Sequence, residues 1–135
     1  MKQKRRFSEL FSVIFISILF ISACNASKVP NDKSATLKSI AKKYASFEGK
    51  EIQLEGLYLG WKHADCEFPA SFLTMQVTRS DWAFSDGKRC CFVTGTIPKG
   101  FESSPEKPVP IVLTAIVRLS NSKVYLEFVN AQLKQ

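Results

Sequence analysis

The chain has one histidine, no glycine-rich phosphate loop, no serine-centred nucleophile elbow and no pair of carboxylates at a useful spacing. Those absences remove the usual sequence marks of an enzyme, so catalysis is not expected and no cofactor is implied. C-x-x-C is missing too, and the four cysteines follow no recognised metal-ligand spacing. No internal repeat or low-complexity tract is visible. Nor does any apolar run reach the roughly 20 residues that a helix needs to cross the ~30 Å hydrocarbon core of a bilayer.

What is present begins at the first residue. Residues 1–7 carry Lys2, Lys4, Arg5 and Arg6, and residues 10–21 then run for twelve positions without a charge. Small residues lead into Cys24. A charged start, a short apolar stretch and a small-residue cleavage zone make a secretory signal peptide over residues 1–23. Ile21-Ser22-Ala23-Cys24 resembles the lipobox of bacterial lipoproteins, in which an aliphatic residue, a small one and Ala or Gly precede the cysteine. The resemblance implies cleavage just before Cys24, a diacylglycerol thioether on its sulfur and, in many bacteria, an acylated amino group. Two or three acyl chains then hold the protein to a membrane, each buried CH₂ contributing about 0.8 kcal/mol. Asn25, not Asp, follows the cysteine. In enterobacterial-type sorting that favours the outer membrane, facing the periplasm, where the cell has one.

The mature chain, residues 24–135, is the size of one compact domain with a modest core. Losing Lys2, Lys4, Arg5 and Arg6 takes 19 basic residues to 15, and losing Glu9 takes 12 acidic ones to 11. The balance is therefore +4 instead of the whole chain's +7. It favours loose contact with anionic surfaces without implying nucleic acid. Residues 24–34 read as a lipidated polar tether, with Pro30-Asn31-Asp32 suggesting a turn and a helix start. Over residues 35–47, Leu37, Ile40, Ala41, Tyr44 and Phe47 fall on one helical stripe, away from Lys38, Lys42 and Lys43. Gly49 is placed to end this helix. A basic amphipathic helix beside a lipid anchor could lie on the bilayer. Packing on its own domain is the expectation here.

From residue 49 the period becomes two. Ile52 and Leu54 alternate with Glu51, Gln53 and Glu55, and Gly56 then breaks the pattern before residues 57–61. Residues 63–70 read as a loop. Residues 72–77 begin another strand that residues 80–85 continue, with Trp82 and Phe84 on one face. Asp86-Gly87 signals a hairpin and residues 90–94 the returning strand. Residues 96–110 hold Pro98, Pro105, Pro108 and Pro110, too many for regular structure. Residues 111–119 form a long apolar strand, Asn121-Ser122 a turn, and residues 124–129 the last strand.

One helix and about five strands, the first of them coiled at Gly56, suggest a mainly β, small closed barrel. Residues 49–56 followed by Tyr58-Leu59-Gly60-Trp61 resemble the opening of an OB-fold domain. Thr78-Arg79-Ser80-Asp81-Trp82, Asp86-Gly87 and residues 90–95 resemble its second and third strands, and residues 111–119 and 124–128 its closing pair. The similarity is to OB-folds of the tRNA-anticodon-binding-like type found in bacterial lipoproteins and exported proteins. It rests on strand pattern, which SH3-like barrels share in part. It implies a five-stranded OB-like Greek-key barrel over residues 35–135, with an N-terminal amphipathic helix.

An OB-fold usually binds across its second and third strands and adjoining loops, stacking bases on aromatic rings. That points to Trp61, Trp82, Phe84, Phe92 and Tyr125, with Lys62, Arg79, Lys88 and Arg89 nearby. Alternation removes two of them. If Trp82 and Phe84 share a face, the other face of that strand offers only Ala83 and Ser85, which cannot fill a barrel, so both rings are expected inside. Trp61, Lys62, Arg79, Arg89, Phe92 and Tyr125 remain as candidate ligand contacts.

With Cys24 lipidated, three thiols remain. In an OB barrel Cys66, after the first strand, and Cys90, opening the third, are neighbours. A Cys66–Cys90 disulfide is expected, of the kind that persists in exported proteins. Cys66–Cys91 is the competing pair, since adjacent cysteines on a strand face opposite ways. His63-Ala64-Asp65-Cys66 with Cys90-Cys91 could instead offer soft ligands to zinc or copper. The expected function is that of a membrane-anchored lipoprotein whose barrel binds an envelope protein, glycan or anionic polymer without catalysis. Binding of single-stranded nucleic acid on the barrel face is the alternative, though a lipid-anchored exported domain seldom meets it. A thiol- or metal-dependent activity is third.

Overall fold

A computed structural model of the protein describes residues 35–62 and 66–135. The expected signal peptide, Cys24 and the expected tether fall outside the described residues, as do His63 and Asp65. One helix and five strands follow in the order α1 (Leu37–Phe47), β1 (Glu51–Gly60), β2 (Trp82–Ser85), β3 (Cys90–Thr94), β4 (Val109–Ser120) and β5 (Lys123–Leu133). The strands close into a barrel in the order β1-β2-β3-β5-β4, with β4 returning to β1. Every pair is antiparallel except β3 with β5, which run parallel through Val93↔Leu126 and Thr94↔Glu127. This is a five-stranded OB-like Greek-key barrel with an N-terminal amphipathic helix, the architecture that the strand pattern implies. Among the described residues no helix is long and apolar enough to cross a membrane.

β1 serves both halves of the barrel. Its residues from Glu51 to Tyr58 pair with β4, and from Leu57 it also pairs with β2. Ile52, Leu54 and Tyr58 point into the core. Gly56 sits where the strand turns from one partner towards the other, and a Cβ there would collide with the Ser85 carbonyl oxygen and the Phe84 ring. Gly56→Ala should therefore cost about 1–3 kcal/mol through overpacking. In a urea titration this would appear as a lower midpoint with an unchanged slope. An unchanged midpoint would show that the coil forms without glycine.

Both ends of the barrel are capped. At the start of β1, α1 begins with a reciprocal capping pair: Thr36 N–H donates to Ser39 Oγ at 2.9 Å and Ser39 N–H to Thr36 Oγ1 at 3.0 Å. Leu37 and Ile40 are buried, and Ala41, Tyr44 and Phe47 pack against the core, so the apolar stripe of the helix faces its own domain. Gly49, at φ +75°, ends the turn and donates its N–H to the Val117 carbonyl at 2.8 Å. At the far end of β1, the proline-rich residues 96–108 fold over the barrel. There the Tyr58 hydroxyl donates to the Glu102 carbonyl at 2.8 Å, and Phe101 packs edge-on at 5.1 Å from the Tyr58 ring. Burial raises the Tyr58 pKa above its ordinary value.

Residues 72–77 do not form the expected strand. Phe72 is buried in the main core and makes one parallel bridge to Val124, after which the chain turns. The cause is Asp81, itself buried. Its Oδ2 accepts the N–H groups of Val77 (2.6 Å) and Thr78 (2.9 Å), and the Thr78 hydroxyl donates to Oδ1. The Gln76 amide donates to the Asp81 carbonyl at 2.8 Å. Groups that a strand would offer to a neighbour are satisfied locally, and β2 begins at Trp82 instead of Ser80.

The two hairpins fall where the turn residues place them. Asn121 and Ser122 both take positive φ, 50° and 61°, as the tight turn from β4 to β5 requires. In the β2–β3 turn, the Asp86 carboxylate accepts from Lys88 N–H (2.9 Å) and Arg89 N–H (2.6 Å) and pairs with the Arg89 guanidinium (3.2 Å). Partial burial opposes ionisation of Asp86, but these bonds outweigh it and hold its pKa below the usual carboxylate value. The stabilisation is therefore fully present above that usual value and lost as pH falls through the lowered one.

Candidate functional site

Side chains of β2 alternate as expected. Trp82 and Phe84 enter the main core, where the Trp82 ring lies 5.0 Å from Tyr58 and 6.0 Å from Phe128. On β3, Cys91 and Val93 share that core. Ala83, Ser85, Cys90 and Phe92 belong to the opposite face, where an OB-like barrel usually takes its ligand.

Here that face is built over. Cys66 and Cys90 are joined by a disulfide with Cα atoms 5.6 Å apart, a normal span for the bond. The Glu67 carbonyl accepts the Cys90 N–H at 2.8 Å, and Glu67 N–H donates to the Lys88 carbonyl at 3.2 Å. Phe68 then stacks on Phe92, centroids 5.0 Å apart and planes 28° apart. Leu57, Leu59 and Ala83 complete a small second core beneath this cover. A few residues on, the same segment reaches β5: Ser71 and Leu73 exchange backbone bonds with Val124. Phe92 is therefore only 3% exposed, and its expected role as a ligand contact is corrected. Its position on the outward face is readable from alternation, but the ring lying over it is not.

The other candidates do not form one surface. Arg89 is half-buried against Asp86 in the β2–β3 turn. Tyr125 lies on the outer wall of β5 opposite Arg118, which pairs with Glu127. Trp61, Lys62 and Arg79 belong to the β1–β2 connection and are exposed. Gly60 pairs with Ala83, so Trp61 leaves the barrel beside the start of β2, anchored by its N–H to the Ser103 carbonyl at 2.7 Å. Asp81, one residue before β2, holds Val77 and Thr78 at that same end. The connection thus presents Trp61 (48% exposed), Met75 (75%) and Val77 (46%), with Lys62 and Arg79 supplying positive charge. Met75 and Val77 are additions that the sequence hid inside an apparent strand.

Chemistry at the thiols is limited by their placement. Cys91 is free and fully buried, and desolvation pushes its thiol far above the range in which a thiolate forms at neutral pH. Among the described residues no three His, Cys, Asp or Glu side chains are placed to hold a metal ion. His63 and Asp65, the other proposed ligands, lie outside them. Concavities occur at the helix start, about 370 Å³ and bordered by Gln53, Glu55 and Asp86, and beside the proline-rich cap, about 530 Å³ between Phe101, Val109 and Leu133. Compared with protein-family models, curated proteins and solved structures, the chain has no match in any of the three.

Proposed function

We propose that this chain is a lipid-anchored bacterial envelope protein whose barrel, an OB-fold of the tRNA-anticodon-binding-like type, is a binding module and not an enzyme. The partner is an envelope protein, glycan or anionic polymer. The observation that carries the reading is the β1–β2 connection, in which Trp61, Met75 and Val77 are exposed, as are Lys62 and Arg79. Exposed aromatic and apolar side chains rimmed by charge are the usual composition of a recognition surface. Nucleic-acid stacking draws less support, because Trp82, Phe84 and Phe92 are all buried. Attachment through Cys24 rests on the lipobox-like sequence, and the Cys66–Cys90 disulfide suits an oxidising compartment. The outer membrane, facing the periplasm, is the favoured location where the cell has one.

Two measurements test this reading. Cys24→Ser should abolish incorporation of labelled fatty acid and leave unprocessed precursor, and labelling that persists would remove the anchor assignment. For the binding surface, tryptophan emission is followed during titration with purified envelope glycans, envelope proteins and oligothymidylate. A saturable change is expected with an envelope component and is lost in Trp61→Ala. A response to oligothymidylate alone would move the assignment to nucleic acid.

A further inference from the structure

We propose that the outward face of α1 docks on anionic lipid headgroups of the membrane to which Cys24 is tethered, an inference that rests on the lipid-anchor reading. The apolar stripe of the helix is occupied by the barrel. What faces away is Lys38, Ser39, Lys42, Lys43 and Ser46, and no acidic residue occurs within Leu37–Phe47. All three lysines are exposed, and none has a carboxylate partner among the described residues. They border a shallow depression of about 320 Å³ floored by Thr36, Ser39 and Phe47. Lys123 adds charge at the flank: its ammonium bonds the Ala70 carbonyl, and the next residue, Ser71, bonds the Ala41 carbonyl of the helix.

Position selects a membrane as the occupant. Twelve residues lie between Cys24 and Leu37, so the two are about 45 Å apart at most when the chain is fully extended. The first described element beyond the acylated cysteine is therefore this lysine face. Because its apolar side already packs on the barrel, contact with lipid is electrostatic, made by ammonium groups on phosphate, and does not insert the helix. Two or three acyl chains on Cys24 would anchor the protein by themselves, so the lysine face adds contact at the surface, and its contribution is read best with one chain, which alone binds only marginally. Each lysine near an anionic surface strengthens binding by about fivefold, so three together give about a hundredfold.

The test uses residues 24–135, which contain the whole barrel, both caps and the helix. One myristoyl chain is coupled through a maleimide to Cys24, the thiol left for coupling when Cys66 and Cys90 are bonded and Cys91 is buried. Coupling in vitro makes the result independent of whether cells lipidate Cys24, which fatty-acid labelling reads separately. Sedimentation with vesicles of 30% phosphatidylglycerol in phosphatidylcholine should show affinity about a hundredfold above that for phosphatidylcholine alone. The gain should collapse at high salt and in the Lys38→Gln, Lys42→Gln, Lys43→Gln triple variant. It should survive in a Lys88→Gln, Lys99→Gln, Lys107→Gln control with the same net charge. Equal losses in the two triple variants would reduce the effect to net charge and overturn the proposal. So would absence of a phosphatidylglycerol preference. Lysine-dependent binding of a soluble anionic polysaccharide without any vesicle preference would reassign the face to a polymer.

Discussion

Trp82→Ala should lower stability by about 3–5 kcal/mol, much of the margin available to a domain of this size. Trp82 is the largest of the fully buried side chains and touches both Tyr58 and Phe128, so its removal opens a cavity bounded by two aromatic rings that cannot both close it. Urea denaturation followed by far-ultraviolet circular dichroism reads the loss. The indole Nε1 is buried without a hydrogen-bond partner. Trp82→Phe therefore removes an unsatisfied donor along with part of the ring, and should cost much less than alanine. That contrast separates packing from recognition. A stacking platform would lose oligonucleotide affinity in Trp82→Ala while melting like wild type, and that result would refute the core assignment.

Breaking the disulfide should be almost as damaging. Cys66 and Cys90 are 24 residues apart in sequence, and closing a loop of that size stabilises the fold by about 3–4 kcal/mol on the chain-entropy model. Cys66→Ala should lower the melting temperature by on the order of 20 °C in a domain of this length. The loss has a structural component too, because the bond pins the segment that lays Phe68 over Phe92. Non-reduced protein alkylated under native conditions should yield a Cys66–Cys90 peptide, with Cys91 unmodified until the chain is denatured. Modification of Cys91 in the folded protein would contradict its burial, and a Cys66–Cys91 peptide would contradict the strand register.

Where one physical signal dominates locally, the sequence anticipates the structure. Alternation at Ile52 and Leu54, the Asp86-Gly87 turn, the Asn121-Ser122 turn and the small residues opposite Trp82 and Phe84 each point to the observed element. The failure at residues 72–77 has a specific cause. Leu73, Met75 and Val77 alternate like a strand, but three hydrogen bonds to the Asp81 carboxylate and one to its backbone carbonyl close the segment into a turn, and capture by one residue leaves no periodic trace. The candidate surface was legible only in part for the same reason. Trp61, Lys62 and Arg79 could be read from their place beside the strands. The exposure of Met75 and Val77, and the loss of Phe92 beneath Phe68, depend on how a long connection folds back across the barrel.

The adjacent cysteines of β3 carry a consequence for how the chain reaches this state. Their side chains enter different environments, Cys91 in the main core and Cys90 in the covered outer layer beside Cys66. Pairing Cys66 with Cys91 instead would require β3 to slide by one residue. Such a slip exchanges every inward side chain for its neighbour, placing Phe92 where Cys91 and Val93 now meet Trp82 and Phe84. The identity of the bonded sulfur therefore records whether the strand has found its alignment.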